Sequence, residues 1–190
     1  ESIADSLLAA LPRATYKRLL AAGLEPVTLN FGDVLHEQGR TIPKVYFPID
    51  CAVALLMAVT GHHPVKVGLV GYDGMVGSPV ALGMHTSTRR ALVQGTGTAM
   101  RMDATLFRKE ILRSKSLQRI LNQYNHALIG QVAQSAVCKL FHPLQARLAR
   151  YLLMSGDYVR SDEIHLTHDF LSQMLGVRRV GITMAASALQ

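Results

Sequence analysis

Arg178 and Arg179 stand side by side in the stretch Leu166–Gln190, LTHDFLSQMLGVRRVGITMAASALQ, and their type and position suit the reading of a base edge. A guanidinium is a planar fork of donors that matches guanine O6 and N7, and the N-terminal end of a second helix is the part that reaches into a major groove. The residues around the pair parse as two short helices about a glycine turn. Thr167 suits an N-cap, Asp169 puts negative charge in the first turn, and Leu166 can staple against Leu171. Phe170, Leu171, Met174 and Leu175 share one apolar face, and Gly176 follows where a helix stop needs positive φ. Beyond the turn Ile182, Ala185, Ala186 and Leu189 repeat in steps of three and one, predicting a second helix that buries this side and turns Arg178, Arg179, Thr183 and Ser187 outward. Against this, Gly181 costs roughly 1 kcal/mol relative to Ala inside a helix, and Arg178 is a poor N-cap. The spacing alone suits a helix-turn-helix and an ordinary helical hairpin equally, so both readings stand at this point.

Charge favours the first. Residues 1–100 hold 8 Lys and Arg against 7 Asp and Glu, whereas residues 101–190 hold 12 against 6, so the positive excess lies in the half that carries the two-helix stretch. That is the footprint a phosphate backbone requires, although a solvated basic surface is the ordinary alternative for the Arg108–Arg119 segment. The 190 residues suffice for one large or two small domains with real cores, and 49% hydrophobic with 17% charged residues describes a folded chain. No apolar run approaches the ~20 residues of a bilayer span, so no membrane partner is expected. The first residues show neither a basic n-region nor an apolar h-region, which predicts no export signal and a cytoplasmic protein. Cys51 and Cys138 have no CxxC partner and read as buried thiols in a reducing compartment.

The elements that must position the arginines come earlier. Ile3–Ala22 has leucines at helical spacing interrupted by Pro12, a short helical lead-in. From Leu24 to Met102 short β-rich runs follow one another with Gly and Pro between them, the pattern of an antiparallel β-roll or jelly-roll. Cys51–Val59 is the longest apolar stretch, and it is of strand length. After Asp103 glycine nearly vanishes: a short helix is expected over Ala104–Ser114 and a long one from about Ser116 to Leu140. Along the latter Leu121, Tyr124, Leu128, Gln131, Ser135 and Cys138 alternate in steps of three and four, spacing that fits a dimer seam or a helix lying on the roll. His142 and Pro143 break it, a further helix spans Leu144–Leu153, and Gly156–Glu163 reads as a polar connector. The fold class is thus α+β: a β-roll with its flanking short helices over 1–113, a long helix over 114–140, and a region ending in the two-helix stretch over 141–190.

This order, with FGDVLHEQGR at Phe31–Arg40, the cassette GYDGMVGSPVALG followed by TRRALVQ, and LTHDFLSQMLGVRR, resembles the Crp/Fnr family of bacterial transcription regulators. The similarity runs over nearly the whole chain. It implies an effector domain, a cyclic-nucleotide-binding-type roll, for 1–113, the dimerisation helix of a homodimer for 114–140, and a winged helix-turn-helix on double-stranded DNA for 141–190, with RNA polymerase as a further partner. Since the family continues into a β wing, the winged helix is expected to be truncated at Gln190. Carried over by position, Arg179 falls on the principal base-reading arginine, Arg178, Val180 and Met184 are its neighbours, and Thr167 and Thr183 complete the DNA-binding set. Val180 replaces an acid that accepts from cytosine N4, so the half-site preference of the nucleotide-binding members does not transfer.

The resemblance also implies an effector site at Gly74, Gly77, Ser78, Arg89, Arg90 and Val132. Arg89 takes the place of the phosphate-binding arginine, with Arg90 next to it, and Gly74 and Gly77 would allow close backbone approach to an anion. Ser78 stands where the ribose-binding glutamate belongs, and Val132 and Ala133 replace hydroxyl side chains of the long helix. Two of three recognition elements are missing, which argues against tight cyclic AMP binding and leaves the cofactor unassigned. The arginine pair suits an anion site and a solvated loop about equally. His62, His63 and His85 lack the spaced acid of a metal-binding cupin, and no catalytic motif appears, so neither a metal site nor an enzyme is expected. The alternative to a DNA-binding regulator is a ligand-sensing module that acts through protein contacts.

Overall fold

The computed structural model describes residues 5–61, 63–161 and 163–189; Ile3, His62, Asp162 and Gln190, which fall within the expectations above, lie outside the described residues. Pro12 divides the lead-in as its missing N–H requires: α1 (Ser6–Ala9) and α2 (Arg13–Ala21) lie on either side, and the Pro12 carbonyl accepts the first hydrogen bonds of α2. Seven strands follow: β1 (Glu25–Leu29), β2 (Val34–His36), β3 (Lys44–Pro48), β4 (Val53–Met57), β5 (Val65–Val70), β6 (Arg90–Val93) and β7 (Gly97–Asp103). They pair antiparallel throughout, in sheets of order β1-β7-β3 and β2-β6-β4-β5, with a 3-10 helix, Ser78–Leu82, between β5 and β6. The corner between β6 and β7 is fixed by Asp50, whose Oδ1 accepts from the Thr98 backbone at 2.5 Å and from its hydroxyl at 2.8 Å.

The unbroken apolar run of β4 has a physical reason. Val53 and Leu55 face the space between the sheets, packed with Val70, Ala91 and Val93, while Ala54 and Leu56 face outward beneath the C-terminal helices. A strand covered on both faces has no need of polar alternation. The helices are α3 (Ala104–Arg113), α4 (Lys115–Phe141), α5 (Leu144–Val159), α6 (His168–Leu175) and α7 (Arg179–Ser187). Asp103 and Ser114 cap α3 and α4, accepting from Thr105 and Leu117 respectively. Two differences from the sequence reading have clear causes. Helix α5 runs past Leu153 to Val159, because Tyr158 is buried against the roll and Val159 packs on Gly95. Leu189, expected on a buried face, is exposed, since α7 ends at Ser187.

Three side chains seat α4 and α5 on the roll. Tyr124 of α4 fills the space beside Gly74 and donates to the Met75 carbonyl at 3.0 Å; Tyr158 of α5 fills that beside Gly71 and donates to Asp73 at 3.0 Å. Tyr151 donates to Gln94 Oε1 at 2.6 Å, and the Gln94 amide lies 2.9 Å from Met174 Sδ of α6. At the edge strand β5, Gln131 of α4 stands in for a missing strand neighbour: its oxygen accepts from Leu69 N at 2.9 Å and its amide donates to Leu69 O at 3.0 Å. Among the described residues no helix is long and apolar enough to cross a membrane.

Two outcomes follow from this packing. A methyl at Gly74 would overlap the Tyr124 ring, so Gly74→Ala should cost ~1 to 3 kcal/mol in denaturant melts. Asp5 caps α1 through a 2.7 Å bond from Leu8 N, and burial, with Asp73 adding, pushes its carboxyl from 3.8 up to about 8. The folded chain therefore holds this proton more tightly than the unfolded one, so the contribution of Asp5 is favourable at acidic pH and is lost as pH rises from about 4 towards about 8. Asp5→Asn keeps a capping oxygen and removes the ionisation; melting temperatures measured from pH 5 to 8.5 should fall less steeply in this variant.

Candidate nucleic-acid interface and ligand cavity

Thr167 and Gly176 delimit α6 as the sequence predicts. The Thr167 hydroxyl accepts from Phe170 N at 3.2 Å, and Gly176, at φ 64, closes the helix with its own N–H on Gln173 and that of Val177 on Ser172. Helix α7 begins after Arg178 with no side-chain cap, and Ile182 and Ala185 seat it on α5 and α6. With that stripe buried, the opposite face carries Arg178, Arg179, Val180, Thr183 and Met184 into solvent. Val180 and Met184 are each 69% exposed, two large apolar side chains with no covering partner among the described residues. Arg179 Nε lies 3.4 Å from Asp169 on α6, both side chains exposed, and the Thr183 hydroxyl meets the His168 ring at 3.1 Å and the Arg179 carbonyl at 3.3 Å. The six residues expected at a DNA surface are thus all exposed.

The residues expected at an effector site divide. Ser78, Arg89 and Val132 line one cavity of about 330 Å³ between the roll and α4, together with Asn125, Leu128 and Ile129. Such a volume lies within the range of small-molecule sites. Burial holds the Arg89 guanidinium below its ordinary range, and no carboxylate pairs with it among the described residues. Asn125 is 8% exposed and its Nδ2 has no hydrogen-bond partner. Sequence reasoning missed it; the signal available was a polar residue one step from Tyr124 on the inward side of the long helix.

Gly74, Gly77 and Arg90 are not part of this lining. The open side of Gly74 is occupied by Tyr124, so its missing Cβ serves packing within the chain. Gly77 takes φ 98 at the start of the 3-10 helix, and a Cβ there would crowd Val45. Arg90 enters β6 and, by strand alternation, turns from Arg89 towards Glu37, its Nε 3.5 Å from the carboxylate.

The long helix also differs from one of its two expectations. Leu121 and Leu128 are buried in the chain's own core, Tyr124 and Gln131 are bound to the roll, and Ser135 donates to the Gln131 carbonyl at 2.9 Å. The stepped stripe is therefore the face on which α4 lies against the roll. The outward face is apolar as well: Ile129 is 68%, Leu140 78% and Phe141 76% exposed, with Ala133, Ala136 and Val137 between. Cys51 is buried, its thiol pushed up to about 12 by burial and Asp50. Of the histidines, His85 is 3.2 Å from Arg108 Nη1, and among the described residues no cluster of three or more His, Cys, Asp or Glu side chains forms.

No protein-family model matches the chain, and a search of curated protein sequences gives no match. Solved structures do match in fold. The chain is similar to the c-di-GMP responsive global regulator CLP of Xanthomonas campestris, with 13% identity, 94% of this chain and 92% of that one covered, and a TM-score of 0.73. It is similar to a Crp/Fnr family transcriptional regulator from Eubacterium rectale, with 16% identity, 97% and 86% covered, and a TM-score of 0.74. A Crp/Fnr family regulator from Thermus thermophilus gives 19% identity, 87% and 85% covered, and a TM-score of 0.68. At such identities it is the three-dimensional arrangement that is shared, and the chain has the fold of the Crp/Fnr transcriptional regulators.

Proposed function

We propose that this chain is a sequence-specific DNA-binding transcription regulator that acts as a homodimer, with α7 as the helix that enters the major groove. The observation that carries the reading is the exposed start of α7, where two adjacent arginines precede uncovered Val180 and Met184. Arginine forks match guanine edges, and apolar side chains at the same depth match thymine methyl groups, so the mixture suits a groove better than bulk water. The N-terminus of α6 at Thr167 brings backbone N–H groups to the surface, which suits a backbone phosphate. Arg179 is restrained by an exposed ion pair worth little in water, so its transfer to a base edge costs little.

Dimerisation is assigned to the outward face of α4. Ile129, Ala133, Ala136 and Leu140 recur in steps of four, three and four, and Gly130 and Ala133 keep the surface low enough for a second helix to approach. Effector control is assigned to the cavity at Arg89. A ligand with an anionic group for Arg89, an acceptor for Asn125 and an apolar body against Leu128 and Val132 would satisfy its walls. Ile129 lines this cavity and also belongs to the outward stripe, so an occupant would touch the seam directly.

Two measurements test the reading. In selection from random duplexes followed by titration at several salt concentrations, the full chain should bind with a strong salt dependence, and Arg179→Ala should lose ~1 to 3 kcal/mol on the selected site without change in melting temperature. Absence of any selected duplex at low salt would end the proposal. In sedimentation, the wild-type chain should be a dimer, Ile129→Glu and Leu140→Glu monomers, and Ser135→Ala a dimer; a monomeric wild type would remove the seam.

A further inference from the structure

Four cations converge at the junction between the roll and the helices that follow it. Lys66 projects from β5, Lys139 from α4, and Arg147 and Arg150 from α5, and all line a second cavity of about 50 Å³ that shares no residue with the one at Arg89. Five arginines elsewhere in the chain, Arg18, Arg90, Arg101, Arg113 and Arg179, each have a carboxylate partner. Among the described residues none of the four junction cations has one. Their partners are neutral. Arg147 Nη2 donates to the Leu175 carbonyl at the end of α6 at 2.6 Å, Arg150 Nη1 donates to Cys138 Sγ at 3.1 Å, and Lys66 Nζ stands 4.2 Å from the centre of the Tyr151 ring.

The arrangement carries an electrostatic cost that the chain itself does not offset. Burial and then Arg150 push the Lys66 ammonium down to about 8, and burial followed by Arg147 lowers Lys139. The Cys138 thiol, drawn below its ordinary range by hydrogen bonds from Gln134 and then Arg150, can supply at most one negative charge against four positive. Lys66, Arg147 and Arg150 are half-buried and Lys139 is exposed beside them; like charges so gathered are stable together when an anion compensates them, and guanidinium and ammonium donors arriving from three elements can surround a tetrahedral oxyanion. The cavity's volume of about 50 Å³ exceeds the ~10–15 Å³ that one water needs, so it has room for a small polyatomic ion.

We propose that this junction binds a tetrahedral oxyanion, either inorganic phosphate or sulfate or the phosphoryl group of a small phosphomonoester, through Lys66, Lys139, Arg147 and Arg150. The bound anion ties β5 of the roll to α5 and, through Arg147, to the last turn of α6, so it stiffens the link on which the orientation of α7 depends. The site stands independently of any reading of α7 as a DNA-binding helix.

Calorimetric titration of the full chain with sodium phosphate, sodium sulfate and ribose 5-phosphate, each against sodium chloride at matched ionic strength, tests it. At least one should bind saturably at one per chain, and which arm binds distinguishes a free ion from a phosphomonoester. Lys139→Gln and Arg150→Gln should each weaken binding about ten-fold, the loss of one charge-assisted contact. Arg150→Lys should stay within a few-fold of wild type, and the exposed control Lys109→Gln should match it; melting curves separate loss of the site from loss of the fold. Binding of none of the three beyond chloride, or wild-type affinity in Lys139→Gln and Arg150→Gln, overturns the proposal.

Discussion

The disposition of the helices depends on close approach at three glycines. Gly71 and Gly74, in the loop after β5, and Gly95, after β6, leave room for Tyr158, Tyr124 and Val159 where any Cβ would overlap them. The two tyrosines meet apolar and polar demands together: each ring fills the gap and each hydroxyl ends on an acceptor of the same loop, which fixes direction as well as distance. With α4 and α5 so seated, the outer face of β4 becomes the floor on which the two-helix unit rests through Leu148, Met174 and Ile182. The attitude of α7 towards solvent is thus set by glycine positions far from it in sequence.

Much of this was legible in the sequence, and the parts that were not share a cause. Capping signals placed α6 to the residue at Thr167 and Gly176, and apolar periodicity placed the buried side of α7 at Ile182 and Ala185, because those signals are local. What a periodic stripe faces is not local. Leu121, Tyr124 and Leu128 have the spacing of a seam, and the same spacing lets a helix lie on a sheet; only the edge of β5, completed by Gln131, decides between them. Gly74 shows the same ambiguity, since a missing Cβ serves an approaching anion and an approaching ring alike. Arg89 and Arg90 look equivalent in a list of residues, yet adjacent positions at the start of a strand take opposite sides, and one finds the cavity while the other finds Glu37. Gly156 opens the stretch read as a polar connector, but burial of Tyr158 two residues on outweighs its modest helix penalty.

The basic charge of the C-terminal half is sorted into two environments with different physics. Arg178 and Arg179 are exposed at the start of α7, where a pair such as Arg179–Asp169 contributes ~0 to 1 kcal/mol and restrains more than it stabilises. Arg147 and Arg150, with Lys66 of β5, are partly withdrawn from water beside the exposed Lys139, where repulsion is less screened and an uncompensated charge costs more. Net charge alone therefore overstates the electrostatic pull available to a duplex, because a quarter of the 12 basic residues in this half, Lys139, Arg147 and Arg150, is committed near the junction.

Helix α4 is the element through which a ligand would act on the proposed DNA surface, and its geometry limits how. One side is held to the roll by Tyr124 and Gln131 and cannot slide without breaking their partly buried hydrogen bonds. The other side is apolar and uncovered, with Ile129 shared between the Arg89 cavity and the outward stripe. A ligand changes an equilibrium only by the difference in its affinity for two states. Contacts with Arg89 or Ser78 alone, on the roll, are the same whatever α4 pairs with. The discriminating contacts are those with Ile129 and Val132, whose surroundings change when a second helix lies against the stripe. An effector that reaches them favours one helix pairing over another, and one too short to do so binds without regulating.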